Sequence, residues 1–225
     1  MKTVLIVFAL VALALLLPLF MTSNTPPEGF DRNLPWQIAL DQSGNSEVFG
    51  LVPGQSRLAD ARALLGDDFD VAVIAASEQI GALEANYPQR AFGFVQARLI
   101  LTLAASPEEV GAMRGRALKR EYMEGSNKKF ILHPDDRARA EDAVIRAISL
   151  IPSARLDEET ITLRFGKAAE VLPEGENLTH YLYPDKGLDV VLDKKGREIL
   201  QYVAPKNFAA QIRAPLEKGN AASGA

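Results

Sequence analysis

The spacing of apolar residues divides the chain into segments of different character. From Val4 to Phe20 the side chains are apolar almost without interruption, and Lys2 precedes the run. A helix of roughly 20 residues crosses the ~30 Å hydrocarbon core of a bilayer, so residues 3–21 predict one N-terminal transmembrane helix. The run is long for a signal-peptide apolar region, and Met21, Thr22 and Ser23 fit a cleavage site poorly. Residues 1–23 therefore read as an anchor in preference to a cleaved signal. Lys2 lies before the run, whereas Glu28 and Asp31 outweigh Arg32 after it. The positive-inside rule then predicts a single-pass inner-membrane protein with its body in the periplasm. Residues 24–46, with Pro26, Pro27 and Gly29, have no period and read as a tether.

The body carries a pattern that occurs twice. Leu51-Val52-Pro53 opens a segment closing on Leu64-Leu65-Gly66, and Leu150-Ile151-Pro152 opens one closing on Arg164-Phe165-Gly166. Each spacing predicts a short helix that stops at a glycine able to take a left-handed cap. Ser56 and Asp157 are the expected N-caps. After Gly166, residues 178–183, 188–193 and 197–203 predict three strands, with turns at Pro184-Asp185-Lys186-Gly187 and Lys194-Lys195-Gly196. Leu188, Val190 and Leu192 alternate against Asp189 and Asp193, so the aspartates are expected to face water. Residues 69–76, 82–87 and 92–103 supply the equivalent strands after Gly66. The expectation is an α+β body of two helix-on-antiparallel-sheet units, residues 47–105 and 150–208, arising from duplication.

Residues 106–149 predict a helical insert between the units. Ser106-Pro107-Glu108-Glu109 is a capping box with proline at the first helical position, and that helix is expected to reach about Glu124. Residues 129–132 suggest a short strand. A second helix is expected over 135–149, with Ala140, Val144, Ala147, Ile148 and Ile151 as its stripe. Residues 209–225 read as a flexible tail.

Composition narrows the chemistry. The chain is 48% hydrophobic and 24% charged with a net charge of −4, which is globular and argues against nucleic acid as a partner. The absence of cysteine excludes disulfides, thiolate metal sites, cysteine catalysis and anchoring through a lipidated cysteine.

Phe49-Gly50-Leu51-Val52-Pro53-Gly54-Gln55-Ser56, followed by a short helix ending Leu64-Leu65-Gly66, resembles the opening of small envelope domains of the SmpA/OmlA (BamE-like) kind. The run from Leu182 to Asp193, and Glu198-Ile199-Leu200-Gln201-Tyr202-Val203, resemble that family's last two strands. The resemblance spans about half the chain. It implies two short helices on a three-stranded antiparallel sheet, and scaffolding or assembly in the cell envelope without catalysis. The family is typically anchored through a lipidated cysteine and carries one such unit, whereas this chain has no cysteine and two units.

No catalytic, cofactor or metal residues emerge. His133 and His180 are the only histidines, without the spacing of a zinc site. Gly54-Gln55-Ser56 begins like a nucleophile elbow, but Leu58 stands where glycine would follow. Asp135-Asp136 and Glu158-Glu159 sit at helix starts, where the macrodipole explains them. Asp185, Asp189 and Asp193 lack a calcium-loop pattern. Two candidate surfaces remain. Tyr181, Tyr183, Asp189 and Tyr202 form a candidate partner surface, and Arg114, Arg116, Lys119, Arg120, Lys128 and Lys129 are candidates for contact with lipid headgroups. The function expected is a non-catalytic, membrane-anchored envelope protein that binds or scaffolds another protein. The alternatives are a lipid-surface or small-ligand binding protein and an envelope hydrolase of unrecognised type. A large enclosed apolar pocket would favour the ligand, an open apolar sheet face or groove between the units a protein partner, and a buried Ser, His and acid in contact an enzyme.

Overall fold

Alternating apolar and polar residues become strands over most of the body. The computed structural model describes residues 32–76 and 79–223. A short ribbon of β1 (Ala39–Leu40) and β2 (Ser46–Glu47) precedes helix α1 (Leu58–Leu65) and a meander of β3 (Asp70–Ala75), β4 (Ala82–Phe92) and β5 (Val95–Leu103). Then come α2 (Pro107–Gly115), a hairpin of β6 (Lys119–Tyr122) and β7 (Lys128–Ile131), α3 (Pro134–Ala140) and β8 (Ile145–Pro152). Helix α4 (Glu158–Phe165) opens a second meander of β9 (Glu170–Glu174), β10 (Leu178–Tyr183), β11 (Leu188–Asp193) and β12 (Ile199–Val203). A π-helical turn at Ala209–Arg213 continues into α5 (Ala214–Ser223).

Among the described residues, β3 to β12 make one antiparallel sheet of ten strands, in the order β6-β7-β3-β4-β5-β8-β12-β11-β10-β9. Its register is two-fold. In the first half Glu84 faces Ala72 and Thr102; in the second His180 faces Leu172 and Val191. Carried along both meanders, this register makes Tyr87 equivalent to Tyr183, Leu101 to Val190 and Ile100 to Asp189. It continues to the seam, where Leu150 pairs with Leu200, Ser149 with Gln201 and Ile148 with Tyr202. The pseudo-two-fold axis passes through the Ser149–Gln201 pair. Helices α1 and α4 start 100 residues apart, and each is closed by a glycine, Gly66 or Gly166, at positive φ.

One face of the sheet holds the main core. Leu83, Leu99, Leu101, Ile148, Leu150, Leu188, Val190 and Tyr202 lie there with Leu58 and Ala61 of α1, Val110 and Met113 of α2, Ala140 of α3, and Ile161 and Phe165 of α4. A buried side chain of this size contributes about 1.5–3 kcal/mol, so this layer dominates the stability. On the opposite face, Phe208, Ile212 and Leu216 of the C-terminal helix pack on Leu182 and Val203, with Ala147 and Leu172 beside them. The turn before β11 needs glycine. Gly187 has φ +64°, and a Cβ there would lie 2.0 Å from the Val203 carbonyl oxygen.

The structure corrects the sequence reading in several places. Among the described residues no helix is long and apolar enough to cross a membrane. The fold is α+β with helices on a large antiparallel sheet, and the transmembrane helix, the membrane-anchored function, the membrane as partner and the single-pass inner-membrane and periplasmic placement are withdrawn. Residues 3–21, on which the span was placed, lie outside the described residues. The two units do not stand apart either, because β8 joins their sheets by pairing with β5 and β12.

The insert is not helical throughout. Helix α2 ends at Gly115, and β6 and β7 extend the sheet. The helix expected over 135–149 ends at Ala140, and Ile145–Pro152 is the central strand. There Ile148, Leu150 and Pro152 alternate inward, and a register shift opposite Thr102/Leu103 returns Ile145 to the core side. Apolar residues on both faces of this strand, Ile148 towards the main core and Ala147 towards the C-terminal helix, gave the segment a helix-like spacing. Strand β9 had no alternating signal because Pro173 interrupts it, and it makes residues 178–183 the counterpart of β4 and not of β3. Residues 209–223, expected as a flexible tail, form the helix whose Phe208, Ile212 and Leu216 recur every four residues. Leu34 and Pro35, in the expected tether, are buried. Ser56 does not cap α1. Its Oγ accepts a hydrogen bond from the Val52 amide, and Asp60 accepts from the Arg57 amide instead.

Candidate functional site

The best-formed apolar cavity of the described residues lies where the two halves meet. It has a volume of about 390 Å³ and opens between the β4–β5 turn, the loop after β8, helix α4 and the segment Pro35–Trp36. Local sequence explains each wall. Gly93, at φ +58°, makes the tight β4–β5 turn and presents Phe94. Pro152 ends β8, and Asp157 caps α4 by accepting from the Thr160 amide at 2.8 Å. The last turn of α4 directs Phe165 inward and leaves Arg164 exposed. Leu150 and Leu200, paired across the seam, and Leu156 contribute further apolar surface.

Aromatic contacts order the mouth. The Trp36 ring lies 5.7 Å from Phe94 and 6.4 Å from Phe165, the latter edge to face. The Arg164 guanidinium sits 4.5 Å above the Trp36 ring. Arg197 donates to the Ser153 carbonyl and holds the loop. Arg155 lies 3.7 Å from the carboxylate of Glu198, whose side chain is only 2% exposed. The C-terminal end of α4 is tied down as well, since Lys186 Nζ donates to Phe165 O at 2.6 Å and Tyr183 Oη to Gly166 O at 2.9 Å.

A second polar cluster lies on the opposite face, in the half covered by the C-terminal helix. His180 Nδ1 is 2.8 Å from Asp189, and Nε2 is 3.1 Å from Glu174. Burial alone pushes His180 down, but the hydrogen bonds and charges of Asp189 and Glu174 outweigh it, and the net direction is upward. Burial also raises the Asp189 carboxyl, and His180 only partly offsets this. Both imidazole nitrogens are committed to carboxylates, so the cluster is an internal ion pair with no nitrogen left to take up a substrate proton. Among the described residues no group of three or more His, Asp or Glu is arranged to hold a metal ion.

The structure divides the expected partner surface between the two faces. Tyr181, Tyr183 and Tyr202 are buried on the main-core face, and Tyr202 Oη donates to Pro35 O at 2.9 Å. Asp189 is 1% exposed on the other face, so the expectation that it meets water is corrected; the C-terminal helix, unseen in the pattern, covers that half of the sheet.

The basic segment is largely engaged within the chain. Arg114 donates to Gln79 O and Ile80 O at 2.8 Å and stacks on Phe130. Arg116 pairs with buried Asp136, and that hydrogen bond holds the Asp136 carboxyl below the usual range. Lys119 pairs with Glu121, Lys129 with Asp70, and Arg120 lies over Tyr122, while Lys128 is half-buried. Sequence reasoning missed Trp36, Phe94 and Arg164 as a set. The one available signal was the chain's only tryptophan, in a segment with no period.

Comparison with family models, with curated proteins and with solved structures finds no match. The resemblance to the envelope family therefore remains a reading of the sequence alone.

Proposed function

We propose that this chain is a binding protein for a small, largely apolar molecule held in the cavity between its two halves. The supporting observation is a 390 Å³ cavity walled by Trp36, Phe94, Phe165, Leu150, Leu156 and Leu200. Ligand sites are typically concave spaces of ~300–1,000 Å³ with apolar walls and a few polar groups that orient the guest. A stable protein interface needs about 800 Å² from each partner, which suits a broad surface better than a recess of this size. Nothing in the reading requires a bond to be made or broken.

The chain carries its own reporter, because Trp36 lines the cavity and is the only tryptophan. Titration with the neutral dye N-phenyl-1-naphthylamine should give saturable dye fluorescence and a matching change in Trp36 emission. Phe94→Ala, at a side chain 44% exposed, should leave the thermal melt nearly unchanged and weaken binding about tenfold. Folded protein without saturable binding would overturn the proposal.

A further inference from the structure

We infer that the molecule held in this cavity carries an anionic group, recognised by Arg155 and Arg164; the inference rests on the cavity being a ligand site. Among the described residues, Arg155 and Arg164 are the only charged side chains lining it, and no carboxylate does so, in a chain whose net charge is −4. A mouth of one sign beside low-dielectric walls favours a guest of the opposite sign. The Arg164 guanidinium carbon lies 4.5 Å from the centre of the Trp36 ring, which sets the charge at the mouth while its N–H groups can still donate to a guest. No hydrogen bond ties those groups down among the described residues. Arg155 is 59% exposed and its Nη1 forms an ion pair with the buried Glu198 carboxylate at 3.7 Å, so part of its charge is matched within the chain and Arg164 carries the larger share of the recognition. Thr160 and Gln96 line the same cavity and supply neutral hydrogen-bonding groups.

The pseudo-symmetry shows that the fold does not demand these charges. Helices α1 and α4 are offset by 100 residues, which places Leu64 at the position of Arg164, and neither Gln55 nor Ser56, which offsets of 100 and 99 set against Arg155, is charged. The first half builds the same helix with neither arginine. Gly50 lies against Leu64 there, where the second half has Trp36 on Arg164. The pair of arginines belongs to the cavity and not to the repeat. The guest that fits is a small amphiphile, an apolar tail within the walls and a single carboxylate or similar anion at the mouth.

The test uses three eight-carbon probes at pH 7.5, octanoate, 1-octanol and octylammonium, all below their aggregation limits. Binding is followed by Trp36 fluorescence and calorimetry on the full chain. Octanoate should bind about tenfold or more tightly than octanol, and octylammonium most weakly, since a hydrogen bond to a charged group is worth more than a neutral one. Raising the salt should narrow the octanoate preference. Arg155→Gln combined with Arg164→Gln should bring octanoate down to the octanol level while octanol stays within about twofold. Circular dichroism confirms that the variant is folded, and the single variant Arg164→Gln, at an exposed side chain, serves if the double variant is not. Equal binding of octanoate and octanol by the native chain, or a preference for octylammonium, overturns the charge inference and leaves the cavity reading standing. Failure of all three probes overturns both.

Discussion

The two halves of the sheet share one register and differ in what lies on each face. At equivalent positions the first half has Glu84, Ile100, Asn86 and Ala72, whereas the second has His180, Asp189, Leu182 and Leu172. Leu182 is fully buried and Leu172 packs beside it under the C-terminal helix, and the His180–Asp189 pair is sealed among them. In the first half the corresponding Glu84, Asn86 and Ile100 are half-buried. Backbone pairing therefore does not decide how polar a sheet face is. The element packed on it does, because sealing a charge from water demands a partner within the protein. On the core face the tyrosines teach the same lesson. Tyr183 donates to the Gly166 carbonyl, while its counterpart Tyr87 lies under Arg90 with its hydroxyl unpaired among the described residues.

The strongest way to break this comparison is to charge the shared core. Leu101 and Val190 are equivalent and fully buried, so Leu101→Asp and Val190→Asp should each cost several kcal/mol and unfold the described body in one transition. Two separated transitions in a calorimetric melt would show that the halves have independent cores. Next comes the sealed face. Asp189→Lys should cost about 3–5 kcal/mol, since it leaves His180 beside a second buried cation, whereas Ile100→Lys should cost about 1 kcal/mol. Comparable losses from both would mean that the C-terminal helix does not create the difference.

The pH response should differ as well, since both halves hold a carboxyl raised by burial, Glu84 and Asp189, and the second half also holds a raised histidine. Burial pushes Glu84 up from 4.5 to about 6. The native state then holds this proton more tightly than the unfolded chain, so stability falls as pH rises from 4.5 through 6. His180 is raised above its ordinary 6.5, so its stabilising proton is fully present below that value and lost as pH rises through the higher folded value. Urea melts across pH 4–9 should show both falls. Glu84→Gln should reduce the acid one, leaving the part due to Asp189, and raise stability at pH 7 by about 1 kcal/mol. His180→Leu with Asp189→Leu should flatten the upper one. A profile unchanged by either variant would sink the assignment.

The smallest effect concerns the tyrosines. Tyr183→Phe should cost about 1 kcal/mol by stripping the Gly166 carbonyl of its donor, and Tyr87→Phe should be neutral or slightly stabilising. Equal costs in a thermal melt would show that the Tyr87 hydroxyl is satisfied in solution.

What the chain declares by itself is local. Glycines 66 and 166, the Ser106–Glu109 box and the alternation of Leu188, Val190 and Leu192 each depend on residues within one or two turns, and each is legible in the residue pattern alone. The recurrence of the helix-and-meander pattern is legible for the same reason. The rest depends on contacts between residues distant in sequence. Ile145–Pro152 is a strand because β5 and β12 flank it, although its residues also fit a helical stripe. Pro173 hid β9, which lies at the rim of the sheet and pairs with β10 along only one edge. Asp189 looked outward because alternation reports which face a residue is on, but not whether another element covers that face. The cavity is the extreme case. Trp36, Phe94, Arg155 and Arg164 come from four separated stretches, and only the closing of the two meanders around their common axis brings them to one mouth.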